Sequence, residues 1–304
     1  MTATTFQTLH QQHHALTEDA LARAVLSAIV EPGDTDAGTL IATYTARGTL
    51  DLITGETESI DNVNLLGLRN RTLPRLNAGS IEIMFRQVVR FGAQLITPEH
   101  PHWPTRLDDL GTLAPIALWV RGNTEMLVDE KTTAMVGARA ATGYGEHVTM
   151  ELAAGLSDRG HTIASGAAYG IDGMAHRATL ASRGRTIAYL AGGVDRFYPS
   201  GHDALLTRIV ERGAVVSELP CGSAPTRWRF LNRNRLIAAN SNATLVVEAG
   251  FRSGSLNTAA HATNLGRPVG AVPGPITSAA SAGCHRLISE GAMIVTSADE
   301  AADL

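Results

Sequence analysis

Short apolar runs and amphipathic segments alternate through the chain from about residue 111 onward. The apolar runs are Ile116–Val120, Thr133–Val136, Thr162–Ala164, Thr186–Ala191, Ala214–Ser217, Thr244–Glu248 and Val269–Val272. Segments with helical periodicity lie between most of them, at Tyr144–Arg159, Ile171–Ser182, Asp203–Arg212, Phe230–Asn240, Ser255–Leu265 and Cys284–Ser289. A strand–helix–strand repeat of this kind indicates a parallel sheet with helices on both faces. The sequence therefore predicts an α/β fold with a Rossmann-like, doubly wound, mostly parallel sheet.

The first 110 residues have a different pattern, which is mainly helical. Leu16–Val30 has apolar residues at helical spacing, and Thr17 precedes an acidic first turn as a helix cap does. A second helix is predicted over Gly79–Phe91. Thr97–Arg106 contains three prolines, which disfavour regular structure and indicate a connection between domains. We therefore predict a small helical domain at residues 1–96, a linker at 97–110 and the Rossmann-like domain at 111–304.

The segment Asn64–Gly79, NLLGLRNRTLPRLNAG, lies between those two predicted helices and combines glycine with basic residues. Two interpretations are open for it: a small helical module that binds nucleic acid, or an ordinary turn between helices. The contacts of its arginines distinguish the two.

Composition and charge exclude several classes of protein. The 304-residue chain has a formal net charge of −4 and a pI near 6.3, which argues against a general polyanion binder. Two cysteines occur, Cys221 and Cys284, and no CxxC, HExxH or Cys/His spacing indicates a metal site. The N-terminus lacks a basic region followed by an apolar run, and no apolar stretch has transmembrane length. We therefore expect a soluble cytoplasmic protein that holds no metal and does not associate with membranes.

One stretch, Ala224–Ser241, is basic and aromatic in an otherwise mildly acidic chain. Asp and Glu are absent from Leu219 to Val247. Guanidinium groups hold phosphates through charge-assisted, forked hydrogen bonds, and aromatic rings stack on unpaired bases. The stretch therefore predicts a site for single-stranded nucleic acid or a nucleotide, although a solvated charged helix with one ring in the core has the same pattern. Its arginines are Arg227, Arg229, Arg233 and Arg235, and its rings are Trp228 and Phe230.

The loops that follow the predicted strands are rich in glycine, serine and arginine. In a doubly wound sheet, ligands bind beyond the carboxyl ends of the strands, where helix N-termini attract anions. After the second predicted strand, Gly137 allows the backbone to approach a ligand closely, and Arg139 is placed to reach a phosphate. Ser165–Gly166 and Arg252–Ser255 each precede a predicted helix, so both are candidate anion cradles.

Two aspartates in these loops have two interpretations each. Asp172 lies in the first turn of a predicted helix, where a carboxylate is either a capping group or a catalytic group. Asp195 follows Gly192 and Gly193, and it bonds either to a ribose or base edge or to the backbone of a turn. Their partners in the fold decide between these roles.

Several catalytic motifs are absent from the sequence. Val148 occupies the third position of a GxGxxG dinucleotide fingerprint after Gly143 and Gly145, and no GxSxG nucleophile elbow occurs. Lys131 is the only lysine, so the GxxxxGK[ST] phosphate loop is excluded. No motif places a pair of carboxylates for acid–base catalysis. The sequence therefore predicts binding loops without catalytic residues, that is, a protein that is not an enzyme.

The segments after residue 111, taken in order, resemble the DprA/Smf family (DNA-processing protein A). The phrase PEHPHWPTRL before them also resembles the family's entry into its Rossmann domain. The resemblance spans nearly all of residues 111–304 and rests on eight ordered motifs: VGARAATGYG (136–145), SGAAYGID (165–172), TIAYLAGGVDRFYP (186–199), SELPCGSAP (217–225), FLNRNRLIAANS (230–241), VVEAGFRSGSLNTA (246–259), GRPVGAVPG (266–274) and SAGCHRLISEGA (281–292).

The resemblance implies a homodimer that binds incoming single-stranded DNA during natural transformation, protects it from nucleases and loads the RecA recombinase on it, without a nucleotide cofactor. It further implies that Arg139 and Arg227 contact DNA, with Phe230 near a base, and that two Ser-Gly pairs line the same pocket. Together with the basic stretch and the loops, the predicted DNA-binding residues are Gly137, Arg139, Ser165, Gly166, Arg227, Phe230, Asn232, Arg233, Arg235, Ser253 and Gly254.

Two other functions use a related fold. A sensor of a small nucleotide needs the same phosphate cradles and stacking ring. A phosphoribohydrolase that acts on nucleoside monophosphates carries the signature PGGxGTxxE, whose glutamate is catalytic. The corresponding segment here is AGFRSGSLNTAAH, which has no acidic residue. The four arginines of the basic stretch favour a ligand with several phosphates over one with a single phosphate.

Overall fold

The computed structural model describes residues 3–57 and 59–304, and its N-terminal part is helical. Thr17 caps the second helix, because its hydroxyl accepts a hydrogen bond from the backbone N–H of Ala20 at 3.1 Å. Within the described ranges, no helix has the length and apolarity that a membrane span requires. The N-terminal helices are α1 (Ala3–Gln12), α2 (Glu18–Ile29), α3 (Thr35–Thr54), α4 (Leu65–Thr72) and α5 (Ala78–Phe91).

The rest of the chain builds a nine-stranded sheet covered by helices. Its strands are β1 (Gln94–Ile96), β2 (Leu118–Gly122), β3 (Thr132–Val136), β4 (Thr162–Ser165), β5 (Thr186–Tyr189), β6 (Ala214–Ser217), β7 (Ala243–Val246), β8 (Val269–Ala271) and β9 (Met293–Ile294). Strands β3 to β9 are parallel, whereas β1 and β2 pair antiparallel at one edge. The predicted α/β, Rossmann-like, mostly parallel sheet is confirmed. The covering helices are α6 (Gly143–Asp158), α7 (Ile171–Ala181), α8 (Asp203–Arg212), α9 (Arg227–Ala239), α10 (Ser255–Asn264), α11 (Ala282–Ser289) and α12 (Ala298–Ala302).

The strand order, β1-β2-β6-β5-β4-β3-β7-β8-β9, reverses at β3. Thr133 of β3 lies opposite Ile163 of β4 on one side and Ala243 of β7 on the other. All residues of β3, β4, β5, β6 and β7 are buried, which is why these strands appear in the sequence as unbroken runs of apolar and small residues. A reversal of this kind opens a crevice beyond the strand ends, where ligands of doubly wound sheets bind.

The N-terminal helices pack directly on one face of the sheet. Leu26 of α2 and Trp119 of β2 belong to one apolar core, which continues to Leu206 of α8. The indole N–H of Trp119 donates a hydrogen bond to the Ser27 hydroxyl at 3.1 Å. In the segment predicted as a linker, Trp103 is also buried. The helical region is therefore joined to the sheet by packing as well as by the chain.

Several elements have too short or too irregular a pattern to be predicted. β1 lies within residues 1–96 yet adds to the sheet, with Leu95 opposite Trp119. Strands of two or three residues, such as β1 and β9, show no periodicity. α3 contains a break at Thr45, where φ is 63°. The pattern of the sequence did not reveal α1, α4 and α12 either.

The segment Asn64–Gly79 forms α4 and the turn that follows it. Its arginines bond within the N-terminal region: Arg71 pairs with Asp34 and with Asp36, each at 2.6 Å. Arg69 donates hydrogen bonds to the carbonyl groups of Leu52, Ile53, Gly55 and Thr57. The internal use of these guanidinium groups favours a structural connection over a nucleic-acid module, and the connection is itself a helix and not an ordinary turn.

Candidate nucleic-acid interface

A cleft of about 900 Å³ opens at the carboxyl ends of the parallel strands, beside the reversal of strand order. Its walls are α9 and residues from the loops that follow β3, β4, β5 and β7. This is the expected position of a ligand site in a doubly wound sheet. Of the predicted DNA-binding residues, those that line it are Gly137, Arg139, Arg227, Phe230, Arg233, Ser253 and Gly254.

The Phe230 ring is the aromatic centre of the cleft. The guanidinium carbon of Arg139 lies 5.3 Å from its centroid and that of Arg233 lies 5.8 Å away, both within cation–π range. The Tyr198 ring packs against it at a tilt, with the two centroids 5.5 Å apart. A ring that has two cations and a second ring beside it is suited to stack a planar base while the cations hold phosphate.

Three arginines at the cleft have free guanidinium groups. Arg139, Arg227 and Arg252 are exposed, and none of them forms a hydrogen bond or an ion pair with any residue that the structure describes. A guanidinium without a hydrogen bond or an ion pair can turn toward a phosphate, and Arg139 gives up only its cation–π contact with Phe230 in doing so. These residues give the cleft positive charge in a chain whose net charge is −4.

Arg229, on the same helix as Arg227, bonds outside the cleft. Its Nε and Nη2 donate to the two carboxylate oxygens of Glu31 at 2.9 and 2.8 Å, and its Nη1 donates to the Ala224 carbonyl at 2.7 Å. The hydrogen bond from Arg229 lowers the pKa of Glu31 below its usual value. Arg229 therefore anchors the start of α9 to the N-terminal helical region.

Arg233 lies buried at the base of the cleft. Its Nη1 donates to the Tyr189 carbonyl at 2.7 Å, and its Nε is buried without a hydrogen-bond partner among the described residues. Burial lowers the pKa of Arg233 to about 10, while the nearby charge of Asp172 raises it. The guanidinium is thus protonated at neutral pH and places a fixed positive charge near Phe230. A side chain at Gly166 would collide with this guanidinium, which explains the glycine there.

The predicted anion cradle at Ser165–Gly166 is filled by a carboxylate of the chain itself. Asp172 Oδ2 accepts backbone N–H hydrogen bonds from Gly166 at 3.2 Å and from Ala168 at 3.4 Å. Ser165 is fully buried, and its hydroxyl donates to the Met135 carbonyl at 2.6 Å. Burial raises the pKa of Asp172 above its usual value. Ser165 and Gly166 therefore do not line the cleft. The Asp172 carboxylate holds the loop between β4 and α7, and α7 itself begins after Gly170 without a side-chain cap.

The N-termini of α6 and α10 differ in their partners. At α6, the backbone N–H and the hydroxyl of Thr142 donate to the Glu248 carboxylate at 2.8 and 2.7 Å. At α10, the hydroxyls of Ser253 and Ser255 lie 2.8 Å apart, and no acidic side chain in the described ranges bonds to the helix end. The Ser255 N–H donates to the Ser253 hydroxyl at 3.4 Å, so the N-terminus of α10 is open to an anion in the sense that no carboxylate of the described residues occupies it.

Two predicted DNA-binding residues lie on other faces of α9. Arg235 is 2% exposed and forms a forked ion pair with Glu218, with Nη1 at 2.5 Å from Oε2 and Nη2 at 2.6 Å from Oε1. The side-chain amide of Asn232 donates to the Trp228 carbonyl at 3.3 Å. Neither residue lines the cleft. Helical spacing turns them away from it, and the prediction for both is corrected on this ground.

Two residues that sequence reasoning did not select do line the cleft. Tyr198, in the loop after β5, supplies the second ring. Asn234 lines it one helical turn after the α9 ring, and its amide donates to the Asn257 side chain at 3.2 Å. Helical spacing from Phe230 is the signal that identifies Asn234, and an aromatic residue in a loop after a parallel strand is the signal for Tyr198.

Other reactive groups are engaged in the structure. Asp195 accepts a hydrogen bond from the Gly222 N–H at 2.9 Å, so it stabilises a turn. Burial raises the pKa of the Cys221 and Cys284 thiols, each to about 12. In the part of the chain that the structure describes, no group of three or more His, Cys, Asp or Glu side chains is arranged to hold a metal ion.

Fold and cleft together define an α/β protein with a Rossmann-like sheet and a basic, aromatic ligand cleft at the reversal of its strand order. The model of the DNA recombination-mediator protein A family matches residues 94–304, and the chain belongs to this family. The predicted DprA/Smf resemblance is thereby confirmed.

Individual relatives agree with this family. DNA processing protein DprA of Mycobacterium tuberculosis is 51% identical over 234 residues, which are 73% of this chain but only 59% of that protein. The structure of DNA processing protein A from Streptococcus pneumoniae matches with a TM-score of 0.76 at 29% identity, over 94% of this chain and 96% of that chain. The Helicobacter pylori DNA processing protein A, described for its single-stranded DNA binding mode, matches with a TM-score of 0.63 at 28% identity, over 69% of this chain and 94% of that chain.

Proposed function

We propose that this chain binds single-stranded DNA in the cleft at the carboxyl ends of its parallel strands. The observation that carries the proposal is the Phe230 ring, which has the guanidinium groups of both Arg139 and Arg233 within cation–π range. Unpaired bases offer open faces to such a ring, whereas duplex bases are covered by their neighbours. The cleft therefore favours a single strand over a duplex.

The groups around the ring have separate roles in this proposal. The unpaired guanidinium groups of Arg139 and Arg227 hold phosphates, and Phe230 with Tyr198 stacks a base. The open N-terminus of α10 at Ser253–Gly254 receives a further phosphate. Gly137 lets the strand approach the backbone after β3, and the buried charge of Arg233 adds a fixed attraction.

The cellular role that we propose follows from membership of the DNA recombination-mediator family. In it, a cytoplasmic homodimer covers incoming single-stranded DNA, protects it from nucleases and loads RecA during natural transformation. The DNA processing relatives named above support this role. In this proposal, strand binding by this chain requires no nucleotide cofactor.

Binding without catalysis is part of the proposal. Asp172, which lines the cleft, and Glu248, which follows β7, are both engaged: Asp172 accepts backbone N–H groups, and Glu248 accepts from Thr142. A carboxylate used in this way is not placed to activate water or protonate a leaving group. The phosphoribohydrolase alternative requires a catalytic glutamate in the segment that contains Arg252. That segment has no acidic residue in this chain.

A mononucleotide is the second candidate ligand, because the open end of α10 fits one phosphate group beside a stacking ring. A mononucleotide differs from a DNA strand in the number of phosphate groups that the cleft would bind. A mononucleotide uses one phosphate contact, whereas a strand engages Arg139 and Arg227 on successive phosphates. Competition between the two ligands therefore separates the candidates.

The test is fluorescence anisotropy with labelled single-stranded and duplex oligonucleotides on wild type, Arg139→Glu and Arg227→Glu. Arg208→Glu is the matched control, because Arg208 is an exposed arginine of α8 outside the cleft and its reversal changes the net charge equally. We expect tight single-strand binding, lost in both cleft variants and kept in the control. Equal loss in the control would show that only net charge matters and would remove the cleft assignment.

Two further measurements complete the test. Millimolar AMP should fail to displace the strand, and no ribose 5-phosphate should be released from AMP. Displacement at low AMP concentration would favour the nucleotide sensor, and release of ribose 5-phosphate would favour the enzyme. RecA loading is tested by the rate at which RecA hydrolyses ATP on single strands covered by a single-strand binding protein, which this chain should increase.

A further inference from the structure

Phe251 is an exposed aromatic ring of the cleft that does not pack with Phe230 among the described ring contacts. It lies in the loop between β7 and α10, lines the cleft, and has 62% of its surface exposed. Phe230 instead packs with Tyr198, which follows β5. The strand order places β4 and β3 between β5 and β7. The cleft therefore has aromatic side chains toward both of its ends along the sheet edge.

A cation holds the Phe251 ring from one side. The guanidinium carbon of Arg286, on α11, lies 5.6 Å from the ring centroid, within cation–π range. Arg286 is itself positioned by Glu290 one helical turn later, whose carboxylate accepts its Nε–H at 2.8 Å. The adjacent Arg252 is exposed and unpaired among the described residues. A guanidinium without a hydrogen bond or an ion pair thus adjoins an exposed ring in the sequence, whereas on α9 the exposed Arg227 is near a ring, Phe230, that is half-buried.

We propose that Phe251 is a second base-stacking subsite for the same single strand, with Arg252 holding the phosphate beside it. This inference rests on the proposed function, because it extends the strand across the cleft from the Phe230 subsite. Single-strand binding proteins use successive aromatic rings with a basic groove in this way. The ligand at this subsite is a nucleobase of any sequence, since stacking on a ring reads no base edge.

The distance between the subsites determines the shortest strand that uses both. Tyr198, which packs on Phe230, follows β5, and Phe251 follows β7; three inter-strand spacings, ~14 Å, separate the ends of these two strands. Stacked bases follow one another at ~3.4 Å, so about four such steps span this distance. A dinucleotide reaches only one of the two subsites, whereas a twelve-residue strand reaches both.

The experiment compares strand lengths on single variants. Labelled (dT)12 is titrated by anisotropy, and 5′-phosphorylated (dT)2 is measured as a competitor. Phe251→Ala should weaken (dT)12 binding by ~5-fold or more, which is the low end for loss of one stacking ring, and should leave the (dT)2 competition constant unchanged. Phe230→Ala should weaken both ligands. Tyr44→Ala is the control, because Tyr44 is an exposed ring of α3 outside the cleft.

Two substitutions separate stacking from apolar bulk. Phe251→Tyr keeps an aromatic face and should bind (dT)12 like wild type, whereas Phe251→Leu keeps apolar volume and should bind like Phe251→Ala. If Phe251→Ala binds (dT)12 normally while Phe230→Ala is impaired, the second subsite is refuted and the proposed function stands. If Phe251→Ala instead changes the elution volume in size-exclusion chromatography at unchanged affinity, the ring belongs to an interface between copies, which also overturns the inference. If every cleft variant binds the strand as tightly as wild type, the proposed function itself is refuted.

Discussion

Glu31 holds Arg229 through two hydrogen bonds, at 2.9 Å between Nε and Oε2 and at 2.8 Å between Nη2 and Oε1. The first residue follows α2 and the second lies in the first turns of α9, so the pair joins the helical region to the helix that carries Phe230. Arg75 donates to the same carboxylate at 2.6 Å. The N-terminal helices therefore take part in positioning one wall of the cleft.

Replacement of Glu31 by Gln should reduce stability in a pH-dependent way. The folded pKa of Glu31 is lowered, chiefly by the hydrogen bond from Arg229, so its contribution is present above the usual value of 4.5 and is lost as the pH falls below it. For a pair this exposed we expect a loss of about 1 kcal/mol or less in the free energy of unfolding at pH 7. Urea unfolding of both proteins at pH 7 and pH 3.5 measures it. Glu151→Gln is the control, because Glu151 forms only an exposed contact with His147. An equal difference at both pH values would contradict the assignment.

Removal of the cleft arginines should change the salt dependence of binding. Each phosphate contact to a single strand contributes about 0.7 to the slope of log K against log salt concentration. Arg139→Gln and Arg227→Gln should each reduce the slope by about 0.7, and the double variant by about 1.4. Titrations of (dT)12 between low and moderate salt give these slopes. Arg208→Gln should leave the slope unchanged, and a slope that no variant alters would argue against phosphate contacts in the cleft.

Removal of the Phe230 ring should weaken binding without changing the salt slope. Base–aromatic stacking contributes roughly 1–3 kcal/mol per base, and Phe230→Ala removes one such ring. Phe230→Tyr should restore most of the affinity, because it keeps the aromatic face. Anisotropy titrations at several salt concentrations separate the two effects. A changed slope in Phe230→Ala would mean that the ring acts by orienting Arg139 and not by stacking.

Removal of Arg235 should affect folding and not binding. Arg235→Ala leaves the Glu218 carboxylate buried without its partner, and breaking a buried pair of this kind costs roughly 3–5 kcal/mol. The melting temperature should therefore fall, while the folded fraction binds (dT)12 with unchanged affinity. The double variant Arg235→Met with Glu218→Leu should recover stability, because it removes both charges. Weak binding by a fully folded Arg235→Ala protein would indicate that Arg235 contacts DNA.

The general fold was accessible from the sequence because its strands are buried on both faces. β3 and β7 appear as unbroken apolar runs, and their helical connections keep the 3.6-residue period. β1 and β9 were not predicted, because a strand of two or three residues is too short to show an alternating pattern. The break of α3 at Thr45 likewise interrupts the pattern on which a helix prediction depends.

The candidate site was accessible only in part. Arg139, Arg227 and Phe230 were selected from strand-end loops and from a basic stretch, and the fold brings them to one cleft. Arg235 was selected on the same grounds, but its partner Glu218 removes it from the surface. Charge and residue type are visible in the sequence, whereas the partner of each charge is not.

What the sequence by itself determined is the α/β class, because buried parallel strands follow from local pattern, and the family, through eight ordered motifs. It also predicts a ligand site at the carboxyl ends of those strands. Tertiary structure alone decided which arginines are free. Glu31 pairs with Arg229, and the Asp172 carboxylate occupies the predicted anion cradle at Gly166. The ring of Tyr198 contacts Phe230 from a distant loop. The physical reason is that hydrogen bonds and ion pairs are made between segments far apart in the chain, so only the packed fold decides which charge remains for a ligand.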